Sequence, residues 1–182
     1  MSFDRLWAPW RLDYVTGGES DAGPQPEPVE WCAEADPNCF LCRAAAKYDD
    51  ESAVGRSLLV ADRGPQTLVV LNRYPYNNGH LLVAPRRHVG ELGALSRDEH
   101  VECMEQLGRL TGVYQELLHA EGFNVGLNLG RVAGAGLPGH LHWHLVPRWN
   151  GDNNFMGVLA GTRVIPQSLD ALWEMLVEAL KK

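Results

Sequence analysis

From Ser57 onward the chain alternates short apolar runs with polar turns. Ser57 to Ala61, Thr67 to Asn72 and His80 to Ala84 are rich in Leu and Val, and Arg63-Gly64-Pro65 and Tyr74-Pro75-Tyr76-Asn77-Asn78-Gly79 separate them. Runs of this length, bounded by turn chemistry, predict strands in an antiparallel meander. Then the period lengthens. Ser96 followed by Glu99 is a capping-box pair, and Val101, Met104, Leu107, Leu110, Tyr114, Leu117 and Leu118 recur at helical spacing, which predicts one long amphipathic helix stopping at Gly122. Phe123 to Leu129 alternates as a strand does, Gly130 to Gly139 is a glycine-rich loop, and an apolar stretch beginning at His140 follows. Residues 168–180 carry Leu169, Leu172, Trp173, Leu176 and Leu180 as the stripe of a terminal helix. The order strand, strand, strand, helix, strand, strand predicts an α+β fold: a mostly antiparallel five-stranded sheet, one long helix and a C-terminal helix.

Before the sheet lies an extension, residues 1–56. It contains the aromatic Trp7-Ala8-Pro9-Trp10-Arg11, a loop from Gly17 to Glu30 and the pair Cys39-Phe40-Leu41-Cys42. A chain of 182 residues, 45% hydrophobic and 21% charged, suits one domain with appendages. The net charge of -7 and pI near 5.4 argue against a nucleic-acid backbone as partner, which demands a basic patch. No run approaches the ~20 apolar residues of a membrane span, and the start lacks a signal-like apolar region, so a cytoplasmic protein without a membrane partner is expected. In that compartment four cysteines (Cys32, Cys39, Cys42, Cys103) read as thiols or metal ligands.

The chemistry concentrates in His140-Leu141-His142-Trp143-His144-Leu145-Val146. On a strand the three histidines would share one face, with Leu141, Trp143 and Leu145 on the other. Imidazole serves as nucleophile, acid, base and metal ligand near neutral pH. A metal shared by all three is disfavoured by reach. His140 and His144 would lie about 13 Å apart along a strand, against metal bonds of about 2.1 Å. The loop Ala133-Gly134-Ala135-Gly136-Leu137-Pro138-Gly139 can bring backbone N–H groups close to an anion. Taken alone, Cys39 and Cys42 could be half a zinc site, a redox pair or two buried thiols, though the βαβ context of a redox pair is missing.

The triad resembles the His-φ-His-φ-His-φ-φ signature of the histidine triad superfamily of nucleotide hydrolases and transferases. Asn72-Arg73-Tyr74-Pro75, Gly79 to His88 and Gly126-Leu127-Asn128-Leu129-Gly130 resemble its upstream elements, so that the match spans about residues 57 to 149. The resemblance implies that His142 is the nucleophile, attacking an α-phosphorus to form a nucleotidyl-histidine, and that His144 assists at the phosphate and leaving group. It implies that Asn128 contacts phosphate, Asn72 the nucleoside sugar, and the loop at Gly134 and Gly136 the phosphates. It further implies a structural zinc on Cys39, Cys42, His88 and His140, no metal in the chemical step, and a homodimer formed through the long helix and a strand. Trp7 to Arg11, the cysteine pair, Tyr74 to Pro85 and His142 to Trp149 resemble the bacterial diadenosine tetraphosphate phosphorylase branch, where inorganic phosphate accepts the nucleotidyl group; Trp149 and Gly151 to Met156 also fit it. Hydrolase members carry Gln, Ser or Thr where this chain has Gly136, Leu137 and Pro138. Hydrolysis of dinucleoside polyphosphates or nucleoside phosphoramidates is the alternative activity, and a zinc-stabilised nucleotide-binding module with little turnover is a different class of reading.

Overall fold

The computed structural model describes residues 26–152 and 165–181; Trp7 to Arg11 and Asn153 to Met156 lie outside the described residues, as does most of the Gly17 to Glu30 segment. Five strands form one antiparallel sheet: β1 (Val60–Arg63), β2 (Thr67–Leu71), β3 (Leu81–Pro85), β4 (Gly122–Leu127) and β5 (Trp143–Arg148). Their spatial order is β1-β2-β3-β5-β4, so β4, though fourth in the chain, is an edge strand. Helices α1 (Phe40–Ala45), α2 (Glu51–Ser57), α3 (Arg97–Leu118) and α4 (Leu169–Leu180) complete the fold. The architecture is the α+β arrangement expected from the periodicities. Strand β2 is buried at every position and β3 likewise, which is why both read as continuous apolar runs.

Several boundaries differ from the sequence reading. Ser57, expected to open the first strand, closes α2, which Asp50 starts by accepting a hydrogen bond from Ala53 N; β1 begins only at Val60. Gly122, expected to end the long helix, is the first residue of β4, because α3 stops earlier. His119 takes the left-handed conformation (φ 53°) and its N–H donates to Tyr114 O.

The capping box at the start of α3 is present. Ser96 Oγ accepts from Glu99 N at 3.1 Å, and Glu99 Oε2 accepts from Ser96 N at 2.7 Å. Glu99 is also bound by Arg87, from the segment after β3, at Nε and Nη2 (3.0 and 2.9 Å). This ion pair helps set the roll of the helix. Glu99, Cys103, Leu107, Leu110 and Tyr114 turn inward, whereas Val101 and Met104, expected in the buried stripe, are 45% and 50% exposed. A periodicity of 3.6 identifies an apolar face but not its edges, and here a buried carboxylate takes the place of an apolar side chain.

Candidate active site and metal cluster

Strand register builds the site. Leu82 of β3 and Gly126 of β4 both pair with His144 of β5, and cross-strand partners point to the same face. Two residues before Leu82 is His80, and two after Gly126 is Asn128. Both therefore converge on His144. The opposite face presents Leu81, Val83, Trp143 and Leu145 to the core.

The resulting chain of contacts assigns protons. His80 Nδ1 accepts from Tyr76 N at 3.1 Å and lies 3.2 Å from Asn72 Nδ2, so in the neutral ring its proton sits on Nε2. That Nε2–H donates to His144 Nδ1 at 2.9 Å, which places the His144 proton on its own Nε2. Asn128 Nδ2 lies 3.4 Å from this nitrogen, and since an amide nitrogen only donates, the amide has to turn its Oδ1 to the ring to accept from it. Tyr76 covers the pair, its ring centroid 4.5 Å from His80 and 5.7 Å from His144.

The triad itself is divided. β5 begins at Trp143, so the regular alternation expected from His140 does not extend that far: His140, Leu141 and His142 precede the strand. Leu141 N is tied to Val89 O at 2.7 Å, and Pro138 O comes so near Gly90 that a Cβ there would stand 2.7 Å away. His142 is buried with Nδ1 2.9 Å from His140 O; the carbonyl can only accept, so Nδ1 carries the proton and Nε2 keeps its lone pair. Burial lowers the pKa of His142 and favours the neutral ring. Its ring centroid is 5.1 Å from that of His144. A neutral nucleophilic nitrogen and an N–H donor thus stand side by side.

His140 belongs to a second group. Its Nε2–H donates to Pro85 O at 2.8 Å, leaving Nδ1 to approach Cys39 Sγ and Cys42 Sγ at 3.2 and 3.5 Å; His88 Nδ1 lies 3.2 Å from Cys42 Sγ. The four ligand atoms of Cys39, Cys42, His88 and His140 all lie within 4.8 Å of one another. Tetrahedral bonds of about 2.3 Å to sulfur and about 2.1 Å to nitrogen set S and N about 3.6 Å apart, so this cluster can hold such an ion with little movement. The Pro85 carbonyl orients the ligating ring as second-shell acceptors do. The hydrogen bond between the two thiols lowers the pKa of Cys42, and the same bond together with burial pushes Cys39 up. Two sulfur and two imidazole nitrogen atoms this close form a donor set suited to a cation. Four protein ligands in a mostly buried pocket would leave a bound tetrahedral ion no open coordination position.

The remaining candidates are dispersed. Asn72 joins the His80 contacts, and its Oδ1 accepts from Tyr74 N at 3.0 Å. Gly134 is left-handed (φ 88°) and its N–H already donates to Arg131 O, while Gly136 stands exposed in the same loop. Trp149 lies past the far end of β5, where its Nε1–H donates to Leu118 O at 3.0 Å; four residues separate it from His144, and the described contacts do not bring the two together. Sequence reasoning gave no role to His80 or Tyr76. The signal was present in His80 as a fourth histidine at the head of a strand, but only register connects it to His144.

A family model, the HIT domain, matches residues 59–151. The chain belongs to the HIT family. An AP-4-A phosphorylase of Mycobacterium tuberculosis is 41% identical over 165 residues, covering 91% of this chain and 78% of the relative. A bis(5'-nucleosyl)-tetraphosphatase (asymmetrical) of Schizosaccharomyces pombe is 32% identical over 82 residues, covering 45% of this chain and 44% of that protein. Among solved structures, a Zn-bound histidine triad family protein from Mycobacterium smegmatis superposes with a TM-score of 0.56 at 26% identity, covering 68% of this chain and 84% of that one. In this HIT chain the matched segment holds the whole histidine relay and two of the four cluster residues, whereas Cys39 and Cys42 lie before it.

Proposed function

We propose that this HIT protein is an enzyme that transfers a nucleotidyl group from a dinucleoside polyphosphate through His142, with inorganic phosphate as acceptor and diadenosine tetraphosphate as substrate. The observation that carries the reading is the His142 Nδ1–H bond to His140 O, which leaves Nε2 as an uncharged nucleophile beside a proton donor. His142 Nε2 attacks the α-phosphorus; the bond from that phosphorus to the bridging oxygen breaks, and ATP leaves with a proton from His144 Nε2. An oxygen of inorganic phosphate then attacks the same phosphorus, returns a proton to His144, releases ADP and frees His142. Asn72 and Asn128 hold sugar and phosphate, and the loop at Gly134 and Gly136 faces the phosphates. Trp149 takes part in recognition. The 41% identity to the Mycobacterium tuberculosis phosphorylase supports phosphate as acceptor.

Zinc in the Cys39, Cys42, His88 and His140 cluster would tie the segment before the sheet to the residues preceding β5, with no part in the chemical step. We take the working unit as a homodimer, supported by Val101 and Met104 exposed on α3 and Val125 exposed on the edge strand β4. No described helix is long and apolar enough to cross a membrane.

The test incubates the protein with diadenosine tetraphosphate, with and without phosphate. Strict phosphate dependence yielding ADP and ATP is expected. AMP and ATP formed without phosphate would replace the phosphorylase with a hydrolase, and turnover surviving His142→Ala would remove the covalent step. Turnover abolished by chelation from a protein that stays folded would instead favour a metal-dependent hydrolysis.

A further inference from the structure

The turn between β2 and β3 is attached at two ends. At one, Tyr76 N and the Asn72 amide contact His80 Nδ1, and the Tyr76 ring lies over His80 and His144. At the other, Asn77 Nδ2 donates to Asp152 Oδ2 at 2.9 Å and to Pro147 O at 3.2 Å. Within the turn, Asn77 Oδ1 accepts from Asn78 N at 3.0 Å and Asn77 O accepts from His80 N at 3.2 Å, so Asn77 determines how the backbone enters His80. Gly79 seats the turn against the end of β5 and α3. It is left-handed (φ 76°), and a Cβ there would stand 3.0 to 3.3 Å from Pro147, Leu118 and Tyr114.

Asp152 is well held in turn. Arg148 binds its carboxylate through Nε and Nη2, Trp149 N donates to it at 3.3 Å, and its pKa falls to about 2, chiefly through the Arg148 bonds. An ionised carboxylate is a stronger acceptor than a neutral group.

We propose that Asp152, acting through Asn77, is a positioning residue for the His80–His144 pair: the Asp152–Asn77 bond holds the turn so that Tyr76 N–H meets His80 Nδ1, which keeps the His80 proton on Nε2 and His144 turned to donate from its own Nε2. Neither residue approaches the reacting nitrogens through the described contacts. Their influence travels along one turn, from a carboxylate at the end of β5 to a backbone N–H on an imidazole. The kinetic part rests on the nucleotidyl-transfer reading; the tautomer part does not.

The experiment uses the full chain with ring-15N-labelled histidine and compares wild type, Asn77→Ala, Asp152→Ala, the double variant and Arg148→Ala. In wild type, the His80 signals should show a protonated Nε2 and an unprotonated Nδ1. Asn77→Ala and Asp152→Ala should each turn this into a mixture of tautomers, and the double variant should go no further than either single. Arg148→Ala removes the ion pair yet leaves Trp149 N and Asn77 on the carboxylate, so it should lose stability and shift the tautomers less than either single variant. Diadenosine tetraphosphate turnover should fall about tenfold in kcat for the two single variants, with KM nearly unchanged. An unaltered His80 pattern in both folded single variants overturns the proposal, as does a mixture of tautomers in Arg148→Ala equal to theirs. If wild type fails to turn over any dinucleoside polyphosphate, the functional reading falls while the 15N comparison still decides the positioning role.

Discussion

Replacing Glu99 by Gln keeps the shape of the side chain and removes its charge. The carboxylate receives Arg87 Nε and Nη2 at 3.0 and 2.9 Å and Ser96 N at 2.7 Å. The Gln oxygen can still serve Ser96, but its NH2 then faces a guanidinium that is itself only a donor. Hydrogen bonds to charged groups contribute about 1.5–3 kcal/mol each. Arg87, 35% exposed against 5% for Glu99, recovers part of its loss from water. The net loss should be about 2 kcal/mol, which lowers the melting temperature of a chain this size by about 4–8 °C.

The pH dependence supplies a second signature. The Arg87 bonds hold the Glu99 carboxyl below its ordinary range. The folded state therefore binds this proton less readily than the unfolded chain, and the contribution is complete above the unfolded carboxylate pKa of about 4.3. It disappears as pH falls through the folded value. Urea unfolding of wild type and Glu99→Gln should give a difference that is full at neutral pH and shrinks in acid. A double-mutant cycle with Arg87→Gln isolates the pair. A coupling energy below about 0.5 kcal/mol, the level of an exposed surface pair, would refute the reasoning, as would a difference that does not change with pH.

Cys42→Ser should abolish binding of one zinc per chain, measured by atomic absorption, and lower the melting temperature by about 10 °C or more, since the energy of a metal held by the folded cluster would add to folding energy. A metal-free variant as stable as wild type would disprove a structural centre. Gly79→Ala combines a left-handed backbone with overpacking against Pro147, Leu118 and Tyr114, and should cost about 2–4 kcal/mol by denaturant unfolding; a loss under about 0.5 kcal/mol would show that the turn is not seated as described. At Gly126, opposite His144, an added Cβ meets nothing within 4 Å among the described residues. Gly126→Leu should therefore leave stability unchanged while raising KM for diadenosine tetraphosphate about tenfold, and an unchanged KM would place the substrate elsewhere.

The local patterns were legible because they depend on nearest neighbours along the chain. Short continuous apolar runs bounded by turn residues marked β2 and β3, and Ser96 with Glu99 marked the start of α3. Cys39 and Cys42 stood out by spacing alone. Their gathering with His88 and His140 was implied by family resemblance, not by any property of the separate segments. Val101 and Met104 were misplaced for a related reason: the roll of α3 is set with help from Arg87 on a different element, and helical periodicity carries no information about it.

By itself, then, the sequence determined the order of the five strands, the long helix and the terminal helix and the inventory of reactive side chains, since φ/ψ preference, capping and periodicity act within a few residues; the short helices α1 and α2 carry too few turns to show a period. The tertiary structure decided which histidines work together. His140 stops before the strand, its Nε2–H on Pro85 O and its other nitrogen on the thiols, while β3–β5 register brings in His80, sixty-four residues from His144, and sets the protons of both rings. Pairing across a sheet is a long-range choice made by packing and turn geometry, and hydrogen-bond partners, not residue type, decide which imidazole nitrogen holds a proton.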